Sequence, residues 1–288
     1  MGQYLSTQFF KDLEPFSYTS SQPDSINILN PSRPPISGKE GLSALRNAEY
    51  LDRYRDSVER NSINTVARRN QEYMPVPYSL NRSIPDNTNW PNGQVVWMDA
   101  SADGGLPHTR PPHYICLPIN LPDSILSQTL THERIHLSQR AHPKQWQRLL
   151  KIAWNMTPWK GTLPGRIEHL RRINPDLLWA PLYAWKNEWV PVSVFTSSMP
   201  KSLSDTQLIW FHITSSTVHY DPPPGWVDFF GSSSNNEHPY EISAYLLADF
   251  DDSNPDQSAT ATTATSSSSN KALDALRVNL SSVYENYA

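Results

Sequence analysis

The chain has 288 residues and a formal net charge of −4, from 24 Lys+Arg against 28 Asp+Glu, a length that suits one large domain or two small ones. Ten Trp and 13 Tyr exclude a disordered chain, and the single cysteine, Cys116, excludes both a disulfide framework and a Cys-based zinc finger. A pI near 6.1 carries no basic footprint for nucleic acid, and no apolar run approaches the ~20 residues that span a bilayer.

The chain opens Met1-Gly2-Gln3-Tyr4-Leu5-Ser6, the pattern for myristoylation of Gly2 after loss of Met. One acyl chain without a polybasic cluster predicts weak, reversible membrane attachment. The layout of a secretory signal is lacking, so the expected setting is intracellular. Residues 1–40 have no hydrophobic period and read as an extended arm rich in Ser, Thr and Pro. Over 41–89 a helical pattern begins, with Leu42, Leu45, Ala48 and Leu51 at three-residue steps, until Pro75 and Pro77 end it.

Short β-like runs follow at 94–98 and 114–117. Pro122-Asp123-Ser124 predicts a helix start with Asp123 or Ser124 as the cap, running to about Ala141. A second helix is expected over 145–156, and a hairpin from 182–185 and 189–195 around Lys186-Asn187-Glu188. A strand at 208–213 and a helix from Asn235 to Phe250, with Pro239 in its first turn, complete the pattern. Residues 253–270 are a Ser/Thr-rich linker, and 271–288 regain a helical period. The expected architecture is α+β, with 90–252 as its compact part.

The chemistry concentrates in His132-Glu133-Arg134-Ile135-His136, an HExxH on the first of those helices. Positions i and i+4 share a helix face, so both imidazoles reach one metal. On a helical wheel both fall within about 20° of Ile125, beside a stripe made by Leu126, Leu130 and Leu137. The expectation is leucines in a core, histidines toward a cleft, and Glu133 between the two.

This motif resembles the zincin metallopeptidases. The resemblance implies a zincin-like domain holding Zn²⁺ through His132 and His136, with Glu133 as general base for the zinc-bound water, and a peptide or protein as substrate. A catalytic zinc needs a third protein ligand. His142 has the spacing of HExxHxxGxxH, but Gln139 stands where that pattern has glycine. Glu241 fits the gluzincin arrangement instead, on a later helix with Ala244, Tyr245 and Ala248 along its face. Its sequence Glu-Ile-Ser-Ala-Tyr resembles the glutamate helix of several gluzincins. Glu237 is its rival one turn earlier, and Asp249 a candidate supporting partner.

By the same resemblance, the strand just upstream of the HExxH helix forms the sheet edge on which substrate lies, with Gly104 and Gly105 allowing close backbone approach and His108 near the cleft. Candidate stabilisers of the developing oxyanion are His219, Tyr220 and Tyr245. The clustered tryptophans read chiefly as core and hairpin packing. The alternative to a zinc peptidase is a non-enzymatic, myristoylated scaffold, for example in a virus particle, with a closed or degenerate zinc site.

Overall fold

The computed structural model describes residues 34–45, 82–84, 93–100, 105–172, 174–177, 180–198, 200, 205–231, 237–248 and 271–284. Gly2, Gly104, Asp249, most of the 41–89 helical segment and the whole 253–270 linker lie outside them. The architecture is α+β. Helix α1 (Gly38–Leu45) precedes a three-stranded sheet of β1 (Gln94–Met98), β2 (His108–Arg110) and β3 (Tyr114–Pro118). Its order is β1-β3-β2, with β1 parallel and β2 antiparallel to β3. Ile36 adds a parallel bridge to Val96 on the outer side of β1, so the end of the N-terminal arm is tied to this sheet.

Helix α2 (Asp123–Ala141) carries the HExxH and matches its predicted span. Its start differs from expectation. Pro122 occupies the N-cap position with no side-chain cap bond, and Asp123 sits inside the first turn, where its charge complements the helix dipole. Asp123 is held there by Arg82, which also bonds the carbonyls of Ile119 and Leu121. Leu126, Leu130 and Leu137 pack on Val95, Trp97, Ile115 and Leu117 of the sheet, as their period predicts. The opposite side of α2 is covered too, because Glu133, Arg134, His136, Ser138 and Gln139 are all buried. The C-terminal half of the helix is therefore covered on both sides, while its first turn stays exposed.

His142 ends α2 and starts α3 (Pro143–Trp154). Its N–H bonds the Ser138 carbonyl at 2.8 Å and its carbonyl accepts from Trp146 at 3.1 Å. Pro143 costs little in the first turn, so α3 begins two residues before the predicted start. The left-handed Asn155, φ 53°, closes it. A second sheet follows, wholly antiparallel, from β4 (Met156–Pro158), β5 (Tyr183–Trp185), β6 (Trp189–Phe195), β7 (Thr206–His212) and β8 (Thr217–His219), paired in chain order. The predicted hairpin joins β5 to β6, and Lys186 and Asn187 both take positive φ, the primed geometry that matches strand twist. Helix α4 (Gly165–Leu170) and a 3₁₀ turn (Pro175–Leu177) lie between β4 and β5.

Helices α5 (Trp226–Phe230), α6 (Pro239–Ala248) and α7 (Lys271–Tyr284) complete the described chain. Among these residues no helix is long and apolar enough to cross a membrane. The largest core cluster joins Trp146 and Trp154 of α3, Trp185 and Trp210 of the second sheet, Trp226 of α5, Tyr240 and Ala244 of α6, and Ala272 and Leu276 of α7. The C-terminal helix thus belongs to the core although a low-complexity segment precedes it. Trp154 Nε1 donates to the Ala272 carbonyl at 2.8 Å and anchors it. Leu276 is fully buried, so Leu276→Ala is expected to cost about 2–4 kcal/mol in urea denaturation. A loss below about 1 kcal/mol would show that α7 does not dock.

Candidate metal centre

His132 and His136 project one turn apart from the middle of α2 toward α6, which packs directly against it. Ala244 and Ala248 of α6 are buried, small enough to allow that approach. Glu241, in the first turn of α6, reaches both imidazoles. Its Oε2 lies 3.5 Å from His132 Nε2 and its Oε1 3.4 Å from His136 Nε2, while the two Nε2 atoms are 3.0 Å apart. These three side chains can hold a metal ion. His136 and Glu241 are buried; His132 keeps some exposure, with the half-exposed Tyr245 ring against it at 4.4 Å.

The remaining polar groups brace this triangle. His136 Nδ1 donates to Gln139 Oε1 at 2.8 Å. Asn174 Nδ2 donates to Glu241 Oε1 at 2.9 Å and to Glu237 Oε1 at 3.1 Å. Glu237 pairs with Arg172 at 3.6 Å and stands beside the triangle, outside the ligand group. His142 is likewise outside it. Its ring is buried where α2 meets α3, and that burial lowers its pKa. His238 caps α6 by accepting from Tyr240 N–H at 3.2 Å and donating to the Pro181 carbonyl at 3.0 Å. Burial holds this ring neutral, with its pKa lowered to about 4.

Burial alone would drive the proton off His136, but the carboxylates of Glu241, Asp176 and Glu133 outweigh it and push its pKa up to about 10. Burial would likewise raise Glu241; proximity to His136 and bonds from both imidazoles hold it well below the usual carboxylate range. Without metal, a proton on His136 Nε2 therefore sits among the three converging donors, and a cation must displace it. Because the folded state holds this proton more tightly than the unfolded chain, its stabilisation is complete below pH 6.5 and lost as pH rises toward about 10. Metal-free protein in chelator is expected to show a falling urea midpoint across that window, and calorimetry a proton released on metal uptake. A flat midpoint would overturn this assignment.

Glu133 is buried with Oε2 making no hydrogen bond. Burial first, then Asp176, with a lesser push from Glu241, hold its pKa well above the usual carboxylate range, against the pull of His136 and, more weakly, His108. It is a proton acceptor of raised basicity next to the ligand triangle.

No protein-family model, curated protein or solved structure matches the chain. The site must be read from its own chemistry. Of the three candidate oxyanion stabilisers, Tyr245 is at the triangle. Burial and the carboxylates of Glu241, Glu133 and Glu237 raise its pKa, so its hydroxyl stays protonated. His219 instead bonds Thr217 and packs on Trp189 at the last strand of the second sheet, and Tyr220 beside it is 67% exposed.

The expected substrate edge also needs correction. The strand just upstream of the HExxH helix, β3, is the middle of its sheet, and β2 is the edge. Thr109 donates its backbone N–H to Asp176 Oδ1 at 2.7 Å, so that edge is already capped by the 3₁₀ turn. Gly105, φ 74°, lies against the chain's own backbone: a Cβ there would lie 2.8 Å from the Ala100 carbonyl oxygen. His108 is buried, accepting from Arg110 Nε at 2.9 Å, and not at a solvent-filled mouth. Asn174, Asp176, His238 and the role of Gln139 have no periodic or motif signal in the sequence.

Proposed function

We propose that this protein is a zinc-dependent peptidase of the gluzincin type, its α+β fold a zincin-like one. The observation that carries the reading is the convergence of two imidazoles and one carboxylate beside a buried, unpartnered carboxylate oxygen of Glu133. A tetrahedral zinc with bonds of about 2.0–2.1 Å separates its ligand atoms by about 3.3–3.4 Å. The donor separations of 3.0, 3.4 and 3.5 Å fit one face of such a tetrahedron. A His₂Glu set is also the donor chemistry of hydrolytic zinc sites, which keep a position open, whereas structural sites are closed by four protein ligands. Three such ligands are present among the described residues.

When bound, zinc supplies Lewis acidity, lowering the pKa of water and polarising a carbonyl. His132, His136 and Glu241 hold the ion. Glu133 takes a proton from the attacking water and returns it to the leaving amine, a task suited to a carboxylate of raised pKa. Tyr245, protonated and beside His132, donates to the developing oxyanion. The test is hydrolysis of a quenched-fluorescent peptide mixture by zinc-loaded protein, compared with Glu133→Gln; cleavage that survives in the variant would remove the mechanism.

A further inference from the structure

We propose that Gln139 is the positioning residue that sets the tautomer of His136 and ties the two ligand-bearing helices together. This rests on the zinc reading above and adds to it a role that no motif assigns. Gln139 is 1% exposed, three residues beyond His136 on the same helix. Its two amide ends face chemically different partners. Nε2 lies 3.0 Å from the Tyr240 carbonyl and 3.0 Å from Ser243 Oγ, both on α6; Oε1 lies 2.8 Å from His136 Nδ1.

The direction of every bond in this network is forced. The Tyr240 carbonyl can only accept. Ser243 donates its hydroxyl proton to that same carbonyl at 3.0 Å, leaving only lone pairs toward Gln139. Two acceptors therefore meet one end of the carboxamide, and that end must be the NH₂ group. The amide oxygen then faces His136 Nδ1 and requires a proton there. A neutral His136 with its proton on Nδ1 has its lone pair on Nε2, the atom turned toward His132 and Glu241.

The same side chain couples position as well as tautomer. Glu241 follows Tyr240 directly and precedes Ser243 by two residues, so the backbone that carries Glu241 is bonded to the side chain that orients His136. The residue that breaks HExxHxxGxxH is thus the one that supports His136.

The experiment measures zinc affinity by competition with a chromophoric chelator, and the His136 ring by ¹⁵N NMR of zinc-loaded protein. Wild type is expected to show a slowly exchanging Nδ1 proton. Gln139→Met, of similar length but without the acceptor, is expected to bind zinc about 10–100-fold more weakly and to lose that signal. Gln139→Glu, which keeps the acceptor toward His136 but turns a second oxygen to the Tyr240 carbonyl, is expected to keep the Nδ1 signal, to lose the tie to α6, and to bind zinc with an affinity between wild type and Gln139→Met. Ser243→Ala, which leaves the Tyr240 carbonyl to orient the amide, is expected to change it only a few-fold.

Equal affinity in wild type and Gln139→Met, or a protected Nδ1 proton that survives in Gln139→Met, overturns the proposal while leaving the zinc reading intact. Wild type that takes up no zinc overturns both. Should Gln139→Met fail to fold, wild type alone decides: a His136 ring without a protected Nδ1 proton overturns the assignment.

Discussion

Glu133→Gln is expected to take up zinc as wild type does and to lose peptide hydrolysis by about 10²–10⁴-fold. Glu133 is outside the ligand triangle, so replacing its carboxylate leaves the three donors unchanged. The amide has nearly the same shape but cannot accept the proton of the attacking water. The variant is also expected to unfold at a higher temperature. Wild type holds a carboxyl group in a 3% exposed position with one oxygen unpartnered, in the field of Asp176 and Glu241. Removing its charge relieves that repulsion and the desolvation of an ionised group. Loss of activity with gain of stability distinguishes a chemical role from a structural one; unchanged turnover would sink the mechanism.

Glu241→Ala has the largest expected effect on metal binding. Apparent zinc-binding energies of about 10–16 kcal/mol from four protein ligands correspond to about 3–4 kcal/mol each, so loss of one ligand lowers affinity by roughly 10²–10³-fold. The metal-free protein carries a second signature. The Glu241 carboxylate is the chief influence raising His136 against its burial. Without it, the decline in stability between pH 6.5 and about 10 should shrink or vanish. Glu237→Ala is the control, since Glu237 shares Asn174 with Glu241 but pairs with Arg172. A larger loss of zinc affinity in Glu237→Ala than in Glu241→Ala would transfer the third ligand to Glu237.

What was legible in the sequence was whatever a single element encodes. The leucine period and the HExxH spacing belong to one helix, and α2 spans Asp123–Ala141 as that period predicts. The Lys186-Asn187 turn is likewise local, its two positive φ values selected by hairpin twist. Glu241 could be chosen over His142 because Gln139 removes the glycine of one pattern while Ala244 and Ala248 signal a close helix contact for the other.

One cysteine and nine histidines in 288 residues point a metal site here to imidazole and carboxylate donors. The sequence by itself pointed to that donor chemistry and to the helix that carries two of the three candidate donors. Only the tertiary structure decided that the stretch of α2 around the HExxH is covered on both sides, that β3 is central in its sheet, and that the last helix joins the core across a low-complexity segment. It also brought Asn174 and Asp176 from an irregular turn to Glu241 and Thr109, 67 residues away in each case. Such partners share no periodicity with the groups they serve. Their places follow from desolvation: once packing buries a ligand's polar atoms, each needs a hydrogen-bond partner from whichever segment lies within reach.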